Sequence, residues 1–347
     1  MYHSLKKLAL CTATSAFLFI PAPATWAVPF TGTAHLSVGM MTDTRKSSGS
    51  RREVIPASQR EKQIGARLPN PVHFREVNGR GLLVSVWVND AGPYTFAVDT
   101  GAGATILSRR VADEAGVSIS GKRPLTIGGI SGTGTISGQE VIVHSLAVGD
   151  QDNTLPTRGI VIVTERLAPG VDGVLDPTEG YWPLGFEIDM PRSELSAFDP
   201  RATPLRRNQN LPPDGAIVPW LFDGQSRRPF VLLEGGMRAL LDTGSGFGLA
   251  VTQDAALSLG ILPGRGRGQT DTRELDVDVR DLAGGQVAAH RISPATIRLG
   301  ALVLRGIPTD LLPNARAGSP VLLGRDALRP FRLTFDPVNH LIRIVPG

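Results

Sequence analysis

The sequence predicts an all-β, bilobal chain in which one folding plan is used twice. Three observations lead there. The 347 residues include 40 glycines and 27 prolines, a composition that favours short strands and turns over long helices. Two apolar runs end alike, in "FAVDTGAG" at 96–103 and "ALLDTGSG" at 239–246, and their aspartates are 143 positions apart. Matching hairpin, helix and strand signals surround both, as expected of a duplicated unit.

The N-terminus places Lys6 and Lys7 before the apolar stretch "LALCTATSAFLFI" and the small-residue segment "PAPATWA". That is the pattern of a signal peptide over residues 1–27, with cleavage near Ala24 or Ala27. The apolar stretch ends at Pro21 and is shorter than the roughly 20 residues a membrane span requires. The protein is therefore expected to be exported, periplasmic or secreted, with no stable membrane span. Cys11, the only cysteine, lies in this segment, so the mature chain is expected to hold no disulfide, thiol nucleophile or cysteine metal ligand. Residues 28–70 are polar, charged and unpatterned, and read as a flexible leader or pro-segment.

The first copy fills an N-terminal lobe, 71–200, and the second a C-terminal lobe, 214–347. The Pro- and Arg-rich stretch 201–213 between them reads as a linker. In the first copy "LLVSVWV" and "YTFAV" are strands joined at "NDAG", and in the second "FVLL" and "RALL" flank "EGGM". Each aspartate segment is followed by one short helix, N-capped by Ser108 or Thr252 and closed at Gly116 or Gly260. Each copy ends with an apolar pair, a variable stretch, a strand, a turn at Pro191 or Pro337, and a last strand.

The net charge of +4 is small and its arginines are scattered, which argues against a dedicated nucleic-acid binder. His144, His290 and His340 have no metal-ligand spacing, so no metal is expected. No GxSxG elbow occurs, and "GGISGTG" lacks the Gly-Lys that a phosphate loop needs. The run "GRGRG" at 264–268 reads as an exposed loop.

One Asp-Thr-Gly is weak evidence, since chance supplies it on the order of a tenth of a time in a chain of this composition. Two in matching contexts point to chemistry. Two facing carboxylates that share one proton can hydrolyse an amide without metal, serine or cysteine, one acting as base toward water and the other as acid toward the substrate. Asp99 and Asp242 are the candidates, and their symmetry does not say which is which. Gly101 and Gly244 would let the two backbones approach and offer amides that hold the carboxylates coplanar. Thr100 and Thr243 would bond across the interface.

These residues resemble the aspartic proteases. The repeat unit is similar to the retropepsin type, while two repeats in one chain resemble the bilobal pepsin arrangement with pseudo-twofold symmetry. The resemblance implies a polypeptide substrate bound in extended form, no cofactor and a monomer. It also implies that Ser245 bonds the outer oxygen of Asp242, a contact that Ala102 cannot make with Asp99.

The chain departs from the family in two places. The family's apolar-apolar-Gly motif is present at Leu322, Leu323 and Gly324, but the first copy has Val174, Leu175 and Asp176, which predicts a distorted lobe. The flap tyrosine of pepsin-like enzymes is missing, since no tyrosine lies between Asp99 and Asp172. The segment 127–138, with Gly128, Gly129, Gly132 and Gly134, resembles a retroviral flap tip instead. The sequence thus reads as an aspartic endopeptidase. The alternative is a catalytically weak exported peptide-binding protein on the same fold.

Overall fold

The hairpin Gly81–Val88 and Ala91–Val98 shows why the chain folds as it does. Asn89 and Asp90 carry φ of 49° and 67°, the left-handed turn that joins two right-twisted strands. In the second copy Gly235 and Gly236, at φ of 86° and 84°, turn Phe230–Leu232 back onto Arg238–Asp242. The computed structural model describes residues 18–19, 68–119, 124–128, 135–157, 159–165, 167–222, 226–261, 279–280, 286–315 and 319–347. Residues 68–347 belong to one compact unit.

Both copies repeat one topology. Ala91–Val98 leads into Asp99, and the chain returns as Thr105–Ser108. The later strand Gly173–Leu175 then inserts between them, parallel to the first and antiparallel to the second. In the second copy Val321–Gly324 inserts in the same way between Arg238–Asp242 and Leu249–Val251. Val161–Thr164 and Leu302–Leu311 add the next parallel strand in each case. The inserted strands are fully buried, which is why they read as unbroken apolar pairs rather than alternating patterns.

The expected helices form over Arg109–Glu114 and Gln253–Ser258. Ser108 accepts from the Val111 amide and Thr252 from the Ala255 amide. Gly116 and Gly260 take φ of 63° and 67°, and the next amides, of Val117 and Ile261, reach back to the carbonyls of Ala112 and Ala256 at 2.8 and 2.9 Å. This is the Schellman closure that glycine permits.

A third sheet joins the copies. Its strands run 216–219, 341–346, 331–336, 185–189, 194–198 and 72–73, so a hairpin from each copy meets at the centre and an entering strand from each copy forms an edge. Phe186 pairs with Phe335 across the central seam, and their rings stack at 4.6 Å. The 201–213 stretch is tied to this sheet, because Leu205 is buried and its amide donates to Asp336 Oδ2 at 2.9 Å.

The expected signal peptide and leader, 1–70, lie outside the described residues except for 68–70 and for Leu18–Phe19, which pair with Ile127 and Gly128. Among the described residues no helix is long and apolar enough to cross a membrane.

Candidate active site

Asp99 and Asp242 each sit where a buried strand ends, and neither has exposed surface. Burying two carboxyls is costly unless the loops compensate. Each loop does so by the same device. The Gly101 amide donates to Asp99 Oδ1 at 2.7 Å, and the Ser245 amide donates to Asp242 Oδ1 at 3.0 Å. Each Oδ2 receives no hydrogen bond from the rest of the described protein. The two carboxyls lie close enough that one proton held between them would link the pair.

The two loops interlock. The Thr100 amide donates to Thr243 Oγ1 at 3.2 Å, and the Thr243 amide to Thr100 Oγ1 at 3.1 Å. Both hydroxyls continue across the interface, Thr100 Oγ1 to the Leu241 carbonyl at 2.7 Å and Thr243 Oγ1 to the Val98 carbonyl at 3.3 Å. Gly101 lies against the carboxyl of Asp242, and Gly244 against that of Asp99. A Cβ on Gly101 would come within 2.8 Å of Asp242 Cγ, and one on Gly244 would be closer still to Asp99. Only glycine lets the carboxyls meet.

Ser245 is buried beside Asp242, but its contact is made by the backbone, and Oγ accepts from the Phe247 amide at 3.3 Å. The hydroxyl bond expected from Ser245 to the outer oxygen of Asp242 is therefore replaced by an amide bond to Oδ1. Serine here shapes its own loop, which is one residue longer than the loop after Asp99.

The expected distortion at Asp176 is absent, for a reason the two loop lengths supply. Five residues separate Asp99 from Thr105, while six separate Asp242 from Leu249, its counterpart by strand register. The extra residue brings the loop over Gly324, where a Cβ would come within 2.9 Å of the Ser245 carbonyl and 3.0 Å of its Oγ. The shorter first loop leaves room for a side chain, and Asp176 fills it as the N-cap of the turn Pro177–Gly180. Its Oδ1 accepts from the Thr178 amide and hydroxyl at 2.8 and 2.7 Å. The triplet Asp-Pro-Thr, a capping residue followed by proline at the first helical position, is the sequence signal for this arrangement.

Arg325 is the residue that motif reasoning passes over. It follows Gly324 directly, is almost wholly buried, and donates from Nη1 to the carbonyls of Thr243 and Gly244 at 2.9 and 2.7 Å. Its Nε lies 3.5 Å from Glu76 Oε1, which also holds Arg329 at 2.7 Å. Nothing in the spacing around Asp-Thr-Gly announces it.

Burial raises the pKa of Asp99 well above the ordinary carboxylate range, and the charge of Asp242, the hydrogen bond to it and nearby Asp176 add to the rise, against the Gly101 amide. Burial also pushes Asp242 up, to about 6. It is restrained by the hydrogen bond from Asp99, the Ser245 amide, the charge of Arg325 and the Gly244 amide.

Of the expected flap, Gly128 ends the strand Pro124–Gly128, which pairs with Thr135–Val141 as a hairpin. Gly129, Gly132 and Gly134 lie outside the described residues, as does the 264–268 run. Among the described residues no three His, Cys, Asp or Glu side chains converge to hold a metal ion.

Residues 84–175 match the family model described as "Aspartyl protease". Among solved structures, the aspartic proteinase from Irpex lacteus superposes with a TM-score of 0.50 at 13% identity, covering 80% of this chain and 97% of that one. No curated protein matches the chain. The architecture is a pepsin-like, mostly β acid protease fold. The resemblance to the aspartic proteases, read from the paired Asp-Thr-Gly motifs, is borne out.

Proposed function

We propose that this protein is an aspartic endopeptidase that hydrolyses peptide bonds in extended polypeptides, with Asp99 and Asp242 as its catalytic pair. The observation that carries the reading is reciprocity. Each aspartate is held by an amide of its own loop, and the glycine of the opposite loop makes room for it. Two carboxyls held in this way cannot both ionise easily, so one proton is retained between them. The ionised member takes a proton from water as it attacks the scissile carbonyl, and the protonated member donates to the developing oxyanion. Return of a proton to the leaving nitrogen closes the cycle.

Thr100, Gly101, Thr243, Gly244 and Ser245 act as positioning residues. Their hydrogen bonds hold the carboxyls before substrate arrives, so no reorganisation is required during reaction. Two carboxyls supply both acid and base, and the mechanism requires no cofactor. The substrate would add as a strand in the cleft between lobes, with side chains in apolar pockets. Export through the 1–27 signal, action as a monomer in the periplasm or outside the cell, and removal of the 28–70 leader complete the proposal.

A first lobe distorted at Asp176 would favour the weak-binder alternative. The shorter first loop accommodates that residue without disturbing the strand register, so this support falls away. The test is cleavage of a denatured protein mixture between pH 3 and 7 by wild type and by folded Asp99→Asn and Asp242→Asn variants. Cleavage by wild type that either substitution abolishes is expected. A folded wild type that cuts nothing, with leader on or off, would overturn the reading in favour of peptide binding.

A further inference from the structure

The symmetry of the two Asp-Thr-Gly loops breaks immediately behind them. On the first side Asp176 stands where the second copy has Gly324, and on the second side Arg325 stands where the first copy has Pro177. Asp176 has no exposed surface. Its Oδ1 is used by Thr178, while its Oδ2 has no hydrogen-bond partner among the described residues. It is in register to lie beside Asp99, whose amide donates to the Leu175 carbonyl at 2.9 Å. Arg325 spans the carbonyls of Thr243 and Gly244, the two residues after Asp242. A buried acid therefore backs one catalytic carboxyl, and a buried cation backs the other.

We propose that Asp176 and Arg325 break the equivalence of the pair, so that Asp99 retains the shared proton and Asp242 carries the negative charge that activates water. They are positioning residues, acting through the aspartates rather than on the substrate. The assignment rests on the proposed protease reading but is tested without it.

The surrounding charges agree in sign. Asp176 is faced by Asp99 from the first loop, by Thr105 from the adjoining strand, and by Thr178 and Glu179 from its own helical turn. Glu179 is itself bound by Arg227 at 2.6 Å. A nearby carboxyl favours the neutral form of Asp99, and the charge of Asp176 once ionised strengthens that preference. Asp242 is faced by Asp99, by the amides of Gly244 and Ser245, and by Arg325. Arg325 in turn feels Glu76, Asp242 and Asp326 before Asp99, so its positive charge is directed more toward Asp242 than toward Asp99. Burial opposes ionisation of Asp176 too, pushing it up to about 7.

The experiment is a carboxyl titration, by NMR of carbon-13-labelled aspartate, in folded Asp99→Asn and Asp242→Asn variants. Each variant leaves one carboxyl of the pair to titrate alone. Asp242 in the first is expected to ionise at lower pH than Asp99 in the second. Equal midpoints or the reverse order would overturn the assignment.

Adding Asp176→Asn to the Asp242→Asn background should lower the Asp99 midpoint by about half a pH unit or more, since a buried acid whose ionisation competes with that of Asp99 is replaced by a group that never ionises. An unchanged midpoint would remove Asp176 from the proposal. Asparagine retains the capping oxygen. If that variant does not fold, Asp176→Gly removes the same charge and installs the residue found at Gly324. Failure of cleavage with the order intact would sink the protease reading alone.

Discussion

Thr100 and Thr243 bind each other's backbone: each amide donates to the other's hydroxyl, at 3.2 and 3.1 Å, and each hydroxyl donates onward to a carbonyl of the opposite strand. The two halves of the site are thereby locked at fully buried positions, where no water can replace a missing partner. Thr100→Val keeps the shape but orphans the Thr243 amide and the Leu241 carbonyl. The expected cost is about 2 to 6 kcal/mol, from one to three per orphaned group. Urea unfolding followed by circular dichroism measures it, and a loss below half a kcal/mol would show that the interlock contributes little.

Gly244 is packed against the Asp99 carboxyl and Gly101 against that of Asp242. Neither needs a left-handed backbone, so the demand is purely steric. Gly244→Ala should separate the carboxyls and reduce kcat/KM by a factor of 100 or more, on the order of 3 kcal/mol in transition-state stabilisation. Gly260→Ala is a useful contrast. There the backbone is left-handed with open space around it, so stability should fall while turnover per folded molecule is kept.

Asp176 makes stability depend on pH. Its folded pKa, about 7, is raised above the ordinary 3.8 by burial, so the native state prefers the protonated form. That preference costs nothing below pH 4, grows as pH rises through 4 to 7, and is complete above 7, where it reaches roughly 4 kcal/mol. Thermal unfolding at a series of pH values should show wild type losing stability across this window, and Asp176→Asn losing distinctly less. Parallel profiles for the two proteins would refute the assignment.

Arg325 is buried with its guanidinium committed to two loop carbonyls and to Glu76. Arg325→Met removes the cation and the donor that the Thr243 and Gly244 carbonyls share, while Glu76 keeps Arg329, with an expected loss of about 2 to 6 kcal/mol, from one to three per orphaned carbonyl. Arg325→Lys keeps the charge but not the fork that reaches both carbonyls, and should recover only part of the loss. Full recovery by lysine would mean that charge alone matters at this position.

Much of this could be read from the chain itself. The turns at Asn89-Asp90 and Gly235-Gly236, the caps Ser108 and Thr252, and the glycines closing both helices follow local rules that need no knowledge of distant residues. The duplicated plan was legible because each half repeats these signals around an apolar run ending in Asp-Thr-Gly. The capping triplet Asp176-Pro177-Thr178 was legible too, yet its meaning was hidden, since comparison with Gly324 suggests strain that the shorter neighbouring loop removes.

By itself, then, the sequence determined the all-β class, the repeat and the pair of aspartates, because short-range turn chemistry and strand burial leave direct marks on residue order. Tertiary structure alone decided what stands behind each aspartate. Arg325 lies 83 positions from Asp242 in the chain, and Asp176 lies 77 from Asp99. They arrive beside the site only because an inserted strand runs parallel to the strand that carries each aspartate. Electrostatic interaction depends on distance in space and on burial, and neither is written in the spacing of a motif.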